Sequence, residues 1–373
     1  MTTEVDEAVT QDYYIVDAEG LRRWTTAVFR RLSVTEEDAR TVAEVLVSAD
    51  LRGVESHGVA RLGRYTGRLQ SGLILPHVQP VIVHETPSTA LVDAGNGLGQ
   101  PAAKWAMELA IRKAQETGQG AVAVRNSNHY GIAGYYAMMA LPHDMVGVSY
   151  TNSSPLLVPT NGRTAVVGTN PIAAAFPAEN EHPWVLDMAT TVVPLGKLEV
   201  YRRKGLAMPL GWAVDERGRE TSDPAQVMEA LAARSGGGIM PLGGPALYSG
   251  YKGFNLSTMV DIYSGLLSDS NRGPQVDEKV DGKDAPARVG HYFSATRVDG
   301  FRPADEFKRD MDAYLRMLKD SPKADGEDRI WVAGEKEWEL QIRHEAEGVP
   351  LYHTVVETLR AIGEDVGPEF DLV

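Results

Sequence analysis

Cysteine is absent from the 373-residue chain. That removes thiolate nucleophiles, cysteine zinc sites, iron–sulfur clusters and disulfides together. His, Lys, Tyr, Ser and carboxylates remain as the catalytic repertoire. Long apolar runs are missing too, since none approaches the roughly 20 residues of a membrane-spanning helix. The leader MTTEVDEAVT is acidic and lacks the basic-then-apolar layout of a secretory signal, so the expectation is a soluble, cytoplasmic protein with no membrane partner. Positive charge is in deficit, with 37 Lys and Arg against 51 Asp and Glu and a formal net charge of −14. Such a surface repels a phosphate backbone and argues against nucleic acid as partner. No low-complexity tract occurs, 43% apolar and 24% charged residues are ordinary globular proportions, and the length allows two or three domains.

The segment from Val16 reads as helix. In LSVTEED two helix starts are nested, Ser33 with Glu36 and Thr35 with Asp38, before Val42, Val45, Leu46 and Ala49 recur at helical spacing. That helix is expected to stop near Gly53. A further helix after Gly58 carries Val59, Leu62, Thr66 and Leu69 on one face and Arg61, Tyr65 and Arg68 on another. ESHG is therefore a turn between helices with a basic, aromatic face downstream. From Pro76 the texture becomes β-rich: VQPVIVHE, STALVDAG, GAVAVRNS, MVGVSYTNS, TAVVGTN, IAAAFPA and HPWVLDMA read as strands, with PAAKWAMELAIRKAQETG as a helix among them. A helix from Thr258 leads into SDSNRGPQVDEKVDGKDAPARVG, read as a surface excursion. Past HYFSATRVDG the chain is helical again, with a stripe of Phe307, Met311, Tyr314 and Leu318 and a last helix after Thr354. Helical ends around a β-rich middle predict an α/β fold whose termini, 1–75 with 303–373, form one discontinuous helical domain around an α/β domain at 76–302.

The phrase DAGNGLGQ resembles a dinucleotide fingerprint, yet Gln100 stands where the third glycine is required and no acid closes the strand about 20 residues on. It reads as a glycine turn before a helix. Of the nine histidines, His77, His84, His143, His182, His344 and His353 read as structural. His57 and His129 are hemmed by Ser, Asn and Gly, which leave a ring accessible; structural and functional readings of each are evenly balanced on spacing alone. There is no HExxH, His-x-His or dense carboxylate cluster beside them, so no metal site is expected. Asp187 ends a strand-like run and is equally a ligand contact or a turn cap, while Lys197 and Lys252 adjoin glycines.

Six stretches, ADLRGVESHGVARL, NSNHYGIAGYYA, YTNSSPLLVPTNGRTAVVGTNPIAAAFPA, VLDMATT, GWAVDERGRETSDP and SGYKGFNLSTMVDIYSGLLS, occur in order. Together they resemble the malate/L-lactate dehydrogenases of the non-Rossmann type, a family with ureidoglycolate, sulfolactate and diketogulonate members. The resemblance implies a homodimeric NAD(P)-dependent oxidoreductase interconverting a small 2-hydroxy acid and its 2-oxo acid, with its own mixed-sheet cofactor fold and NAD slightly favoured over NADP. It puts catalysis on His129, Ser56 and His57 and the substrate carboxylate on Arg61; Lys197 joins the catalytic set because its ammonium can polarise a carbonyl, and Tyr65 and Thr169 join the substrate contacts. Cofactor contacts fall on His129, Tyr130, Gly131, Ile132 and Ala133, on Ser153, on Asp187, Met188 and Ala189, on Leu195 and Gly196, and on Lys252 and Gly253. More loosely they extend to His291, Gly334 and Glu335, where the family's Pro-Gly-Glu has Ala333 in place of proline.

In this scheme His129 is the acid/base, its pKa near neutrality, and Ser56 with His57 is a second polar relay, the two imidazoles being exchangeable in role. Arg61 supplies a planar fork for the carboxylate, with Tyr65 and Arg68 lining the rest of the pocket. The alternative is an NAD(P)H-dependent reductase of cyclic imino acids. That branch carries an acid where Lys197 stands, and a lysine suits a ketone better. Arg202, Arg203 and Lys204 are read evenly as a ribose-phosphate contact or a solvated patch.

Overall fold

Tyr13–Val16 is a strand (β1) and not the beginning of a helix; the helix starts after Asp17, whose carboxylate accepts the Gly20 N–H at 2.5 Å. An N-cap fixes that boundary more sharply than apolar spacing does. The structure, a computed structural model, describes residues 12–276, 279, 280 and 282–373. The acidic leader, and residues 277, 278 and 281 of the excursion read from the sequence, lie outside the described residues.

In chain order, β1 is followed by α1 (Ala18–Arg31), α2 (Glu36–Leu51), α3 (Leu62–Gln70), β2 (Val81–Glu85), β3 (Thr89–Asp93), α4 (Gly99–Thr117), β4 (Gln119–Ser127), α5 (Ala133–Met138) and β5 (Met145–Thr151). Next come β6 (Ile172–Phe176), β7 (Trp184–Met188), α6 (Leu195–Arg203), β8 (Ala213–Val214), α7 (Pro224–Ala233), β9 (Gly238–Ile239) and α8 (Tyr251–Asp261), the last running into a π-helical turn at Ile262–Leu266. The chain ends with β10 (Lys279–Val280), β11 (Lys283–Asp284), β12 (Val289–Arg297), α9 (Ala304–Lys319), α10 (Glu335–Glu347), β13 (Val349–Tyr352) and α11 (His353–Val366). Among the described residues no helix is long and apolar enough to cross a membrane.

Of the two nested starts, Thr35 caps α2, its hydroxyl accepting the Asp38 N–H at 3.2 Å. Ser33 instead takes a left-handed conformation in the preceding turn. As expected, α2 ends just before Gly53, at φ +72°. Leu21, Val28, Phe29, Val42, Leu46, Leu62, Tyr65, Val349, Val356 and Leu359 bury into one core, which joins α1, α2 and α3 to β13 and α11. β1 and β13 pair antiparallel across the same core.

Among the described residues the main sheet has seven strands in the order β2-β3-β4-β12-β5-β6-β7. β3 and β4 are parallel, and the remaining pairs are antiparallel. This mixed sheet fits the α/β class. α4 and α5 cover it with small and medium side chains, Ala103, Ala106, Met107, Ala110, Ala133 and Ala137, against Val122, Val124, Ala173 and Phe293. TAVVGTN is not a strand of this sheet and makes only isolated bridges. Its backbone is held elsewhere, the Thr169 N–H donating to Ser153 Oγ at 3.1 Å, a local side-chain bond that competes with ladder formation.

Two helix readings also change. α8 begins at Tyr251, seven residues before Thr258. On α9 the fully buried positions are Asp312 and Leu315, while Tyr314 is 53% exposed. Asp312 turns inward because its carboxylate accepts the N–H groups of Glu179, Asn180 and Glu181 at 3.0, 2.9 and 3.2 Å; three charge-assisted bonds outweigh an apolar stripe.

Candidate active site

ESHG forms two short 3-10 turns, Glu55–His57 and Val59–Arg61, ahead of α3. What holds them is beneath. Asp50, buried in the last turn of α2, accepts the Val59 N–H at 2.8 Å, and its carboxyl fills the space where a side chain on Gly58 would stand, a Cβ there lying 1.8 Å from Oδ1. A side chain at 58 would have to displace the Asp50 carboxyl from beneath the turn. On top of the turns, Ser56 Oγ lies 2.9 Å from His57 Nδ1, and Arg61 Nε donates to Ser56 O at 2.6 Å.

NSNHYG meets this turn from the other side. The His57 and His129 rings stack at 5.5 Å between centroids, 24° from parallel. Tyr65, 1% exposed, reaches His129 Nδ1 with its hydroxyl at 2.6 Å. The Gly131 N–H also points at Nδ1, at 3.3 Å. A backbone N–H only donates, so Nδ1 carries the lone pair, Tyr65 donates to it, and the neutral ring bears its proton on Nε2. Asn128, buried behind the ring, donates to Gly97 O at 2.8 Å, and a Cβ on Gly99 would stand 2.2 Å from Asn128 O and 2.5 Å from His129 O. Gly99 thus lets α4 begin against the backbone of His129, while Gly95 and Gly97 pack on Val78.

Both imidazoles open on a cavity of about 650 Å³ lined also by Ser56, Arg61, Arg64, Gly131 to Gly134, Ser153, Thr169, Asp187, Ala189, Leu195, Gly196 and Gly334. Its size is that of a ligand pocket. Asp187 faces this space from β7 and accepts the Gly134 N–H at 2.7 Å. Accessible from the cavity yet closely surrounded by protein, its carboxyl is pushed up to about 6, chiefly by desolvation and against the pull of that bond and of Arg52. A wider cleft of about 760 Å³ between α1 and α2 has its cations engaged in pairs such as Arg22–Glu44 at 2.8 Å and Arg40–Glu36 at 2.7 Å.

Several residues named from the sequence lie elsewhere. Lys197 and Lys252 are exposed on α6 and α8 and do not line the cavity. Gly253 is buried against Leu242. His291 is enclosed in the sheet, with Thr151 Oγ1 2.7 Å from Nδ1 and Ser127 Oγ 2.9 Å from Nε2, and it stacks on Tyr130 at 4.6 Å. The Tyr130 hydroxyl meets Ser149 at 3.0 Å, and Met188 is likewise outside the lining. Glu335 is buried beside Arg329 at 2.9 Å, while its neighbours Gly334, Lys336 and Glu337 line the cavity. Arg68 points away and donates to Ala285 O at 2.8 Å. Arg64, and not Arg68, faces inward with Arg61, because Arg61 sits in a 3-10 turn where positions three apart align.

Sequence reasoning missed Arg52, Arg64, Trp331, Lys336 and Glu337. Only the i, i+3 relation of Arg61 and Arg64 carried a signal. The imidazoles also depart from the near-neutral expectation. Burial, then the positive charges of Arg61 and Arg64, lowers His57 to about 4. His129 is held well below its ordinary value by burial, then Arg64, His57, Arg61 and His291.

Asp50 yields a stability prediction. Burial, opposed by the Val59 N–H and reinforced by Glu55, raises its carboxyl to about 8. The fold thus keeps a proton that the unfolded chain has released above the ordinary Asp value of 3.8. The associated stability is complete below that value and is lost as pH rises through about 8. Asp50→Asn keeps an acceptor for Val59 without titrating. The expected result is that Tm of the variant, relative to the parent, rises between about pH 5 and about pH 8.5 by calorimetry; parallel curves would exclude a protonated Asp50.

A family model described as malate/L-lactate dehydrogenase matches residues 16–360. A malate dehydrogenase of Pyrococcus abyssi is 45% identical over 360 residues, covering 96% of this chain and 97% of the relative. An L-sulfolactate dehydrogenase of Methanocaldococcus jannaschii is 38% identical, covering 95% and 97%. The crystal structure of a malate dehydrogenase from Entamoeba histolytica superposes with a TM-score of 0.92 at 32% identity, covering 96% of this chain and 99% of that one. With a match over nearly its whole length, the chain belongs to the malate/L-lactate dehydrogenase family.

Proposed function

We propose that this chain interconverts a small 2-hydroxy acid and its 2-oxo acid, with a nicotinamide cofactor as hydride carrier. The observation that carries the reading is the stacked His57–His129 pair, backed by Tyr65 and placed with Arg61 in one cavity. Similarity to relatives named malate dehydrogenase and L-sulfolactate dehydrogenase supports it.

The cavity fits such a cofactor chemically. Ile132, Ala133, Leu156, Pro171 and Leu195 give apolar wall for a ring face, and Asp187 and Glu337 offer carboxylates to ribose hydroxyls. When bound, nicotinamide accepts hydride from the hydroxy acid or returns it to the oxo acid. The carboxylates favour NAD, since they would repel a ribose phosphate. Arg202, Arg203 and Lys204 are outside the cavity, Arg203 lying over the Tyr352 ring at 5.5 Å.

In reduction, the Nε2–H of His129 gives its proton to the substrate oxygen while Nδ1 takes the proton of Tyr65, which is refilled from water; oxidation runs the path backwards. The Arg61 fork grips the carboxylate and is itself oriented by Ser56 O, and Ser56 bonded to His57 presents a second polar group. An anion beside Arg61 and Arg64 offsets the charges that depress both rings, so substrate binding raises their basicity toward the working range.

Lys197 faces solvent, so the argument from it against imine reduction has no support in this geometry; preference for the hydroxy acid reading rests on the relatives. A cytoplasmic homodimer completes the proposal. The first half is supported by where reduced nicotinamide is available, the second by an apolar face around α8, where Leu247 is 83% and Tyr248 70% exposed. The test is a panel of 2-oxo acids, with pyrroline- and piperideine-2-carboxylate beside them, assayed with NADH and with NADPH. Turnover of a 2-oxo acid, fastest with NADH, is expected; turnover of the cyclic imines alone would overturn the reading.

A further inference from the structure

We propose that Arg52 is a positioning residue for the cofactor, orienting the carboxylates of Asp187 and Glu337 toward its ribose hydroxyls. The inference rests on the nicotinamide reading above and adds to it a residue that acts through two others.

Arg52 closes α2, its backbone N–H donating to Ser48 O at 3.1 Å. Its side chain is buried yet forms part of the cavity lining. Helix α10 pins it there: Nη1 donates to Gln341 Oε1 at 2.9 Å, and the guanidinium lies over the Trp338 ring at 4.6 Å. Neither of these partners is charged. Glu337 precedes Gln341 by four residues and so shares its face of α10.

The same helix is fastened to β7 and to α2. Val185 N–H donates to Ala333 O at 3.2 Å, Trp338 Nε1 donates to Pro183 O at 3.3 Å, and a Cβ on Gly334 would lie 3.0 Å from Val185. Asp187 stands two residues beyond Val185, on the same face of the strand. On the other side, His344 Nδ1 lies 2.9 Å from Leu51 O. The end of α2, the start of α10 and the end of β7 therefore make one corner of the cavity, with Arg52 between its two acids.

Asp187 is faced by Arg52 from α2, by Glu337 from α10, and by Tyr130 and the Gly134 N–H from the segment between β4 and α5. Arg52 is the cation of this set. Two carboxylates brought together where water is scarce repel, and one of them takes up a proton. An ionised carboxylate offers both oxygens to a pair of ribose hydroxyls, whereas a protonated one gives up part of that capacity. Arg52 offsets the repulsion, and its uncharged pins leave the guanidinium free to do so.

The test is calorimetry of ADP-ribose binding from about pH 5 to about pH 9, across the range in which such a carboxyl titrates. This ligand carries the riboses and needs no turnover. Affinity of the parent is expected to fall on the acid side as Asp187, at about 6, takes up its proton. Loss of a nearby cation raises a carboxyl by about 1–3 pH units, so Arg52→Met should move that limb upward, weaken binding by about 10-fold near pH 7 and converge with the parent at high pH. Arg52→Lys, which keeps the charge, should restore most of the loss. In an Asp187→Asn background the limb is absent, and Arg52→Met should then cost no more than about 2-fold. If melting shows that Arg52→Met does not fold, Gln341→Met, which releases the guanidinium without removing it, is read in its place and should move the limb in the same direction. An unmoved limb, a loss equal at every pH, or the full loss persisting beside Asp187→Asn overturns the inference alone. ADP-ribose that fails to bind the parent overturns the cofactor reading and the inference with it.

Discussion

His129→Asn is expected to lower kcat by about 10²–10⁴-fold, the usual cost of losing general acid–base catalysis. Asparagine keeps a polar side chain for Tyr65 and Gly131 to bond, so NADH binding, followed by fluorescence titration, should weaken only modestly. The informative measurement is the pH profile of hydroxy acid oxidation. Oxidation needs an imidazole free to take a proton, so its rate falls on the acid side as the ring protonates. In the free protein the ring is held below the ordinary value of 6.5, which places the acid limb of kcat/KM below that pH. In the profile of kcat the limb moves up, because bound substrate sits against Arg61 and Arg64. The variant should lack both limbs. His57→Asn is the control: if it erases the limb and His129→Asn retains it, the two rings exchange roles.

Gly99→Ala should rank next, although residue 99 contributes no chemistry. The added methyl would press on Asn128 O at 2.2 Å and His129 O at 2.5 Å. Both are backbone atoms and cannot swing aside, so the loop or the helix must shift. Overpacking of this kind costs about 1–3 kcal/mol of stability, and a displacement near 1 Å at a reacting group costs about 10²-fold in rate. The expected signature is a drop in kcat near that size with a moderate fall in Tm. Full activity at a lowered Tm would mean that the strain is absorbed in α4 and never reaches His129.

How much of this was readable beforehand depends on the range of the interaction. ESHG and NSNHYG stand out because a histidine among Gly, Ser and Asn is a local signal, and α1 to α3 follow from apolar spacing and caps. The wall formed by Trp331, Lys336 and Glu337 is joined to His57 only by tertiary packing, and nothing local marks it. Asp312 defeats the stripe on α9 through three distant N–H groups. His291 carries a polar, catalytic-looking side chain yet spends both nitrogens on Thr151 and Ser127. The depressed imidazoles were illegible for a different reason: a pKa follows from burial and from Arg64 across the cavity, neither of which spacing encodes. The glycines of DAGNGLGQ were legible as a turn, but Gly99 was not legible as the seat of His129.

The order of strands bears on how the protein comes into being. β4 and β5 flank the loop that carries His129, yet they do not touch; each pairs with β12, which is inserted between them. During synthesis, the chain from Gln119 to Thr151 emerges with a gap at its centre, and the strand that fills it, Val289–Arg297, arrives only after well over a hundred further residues. The nascent chain must keep two open edges from pairing wrongly or with neighbours in the meantime. Closing so long an excursion is also slow. Assembly of the catalytic loop is therefore a late event of folding, and chains released before residue 289 should be prone to aggregate and should have no functional site to protect.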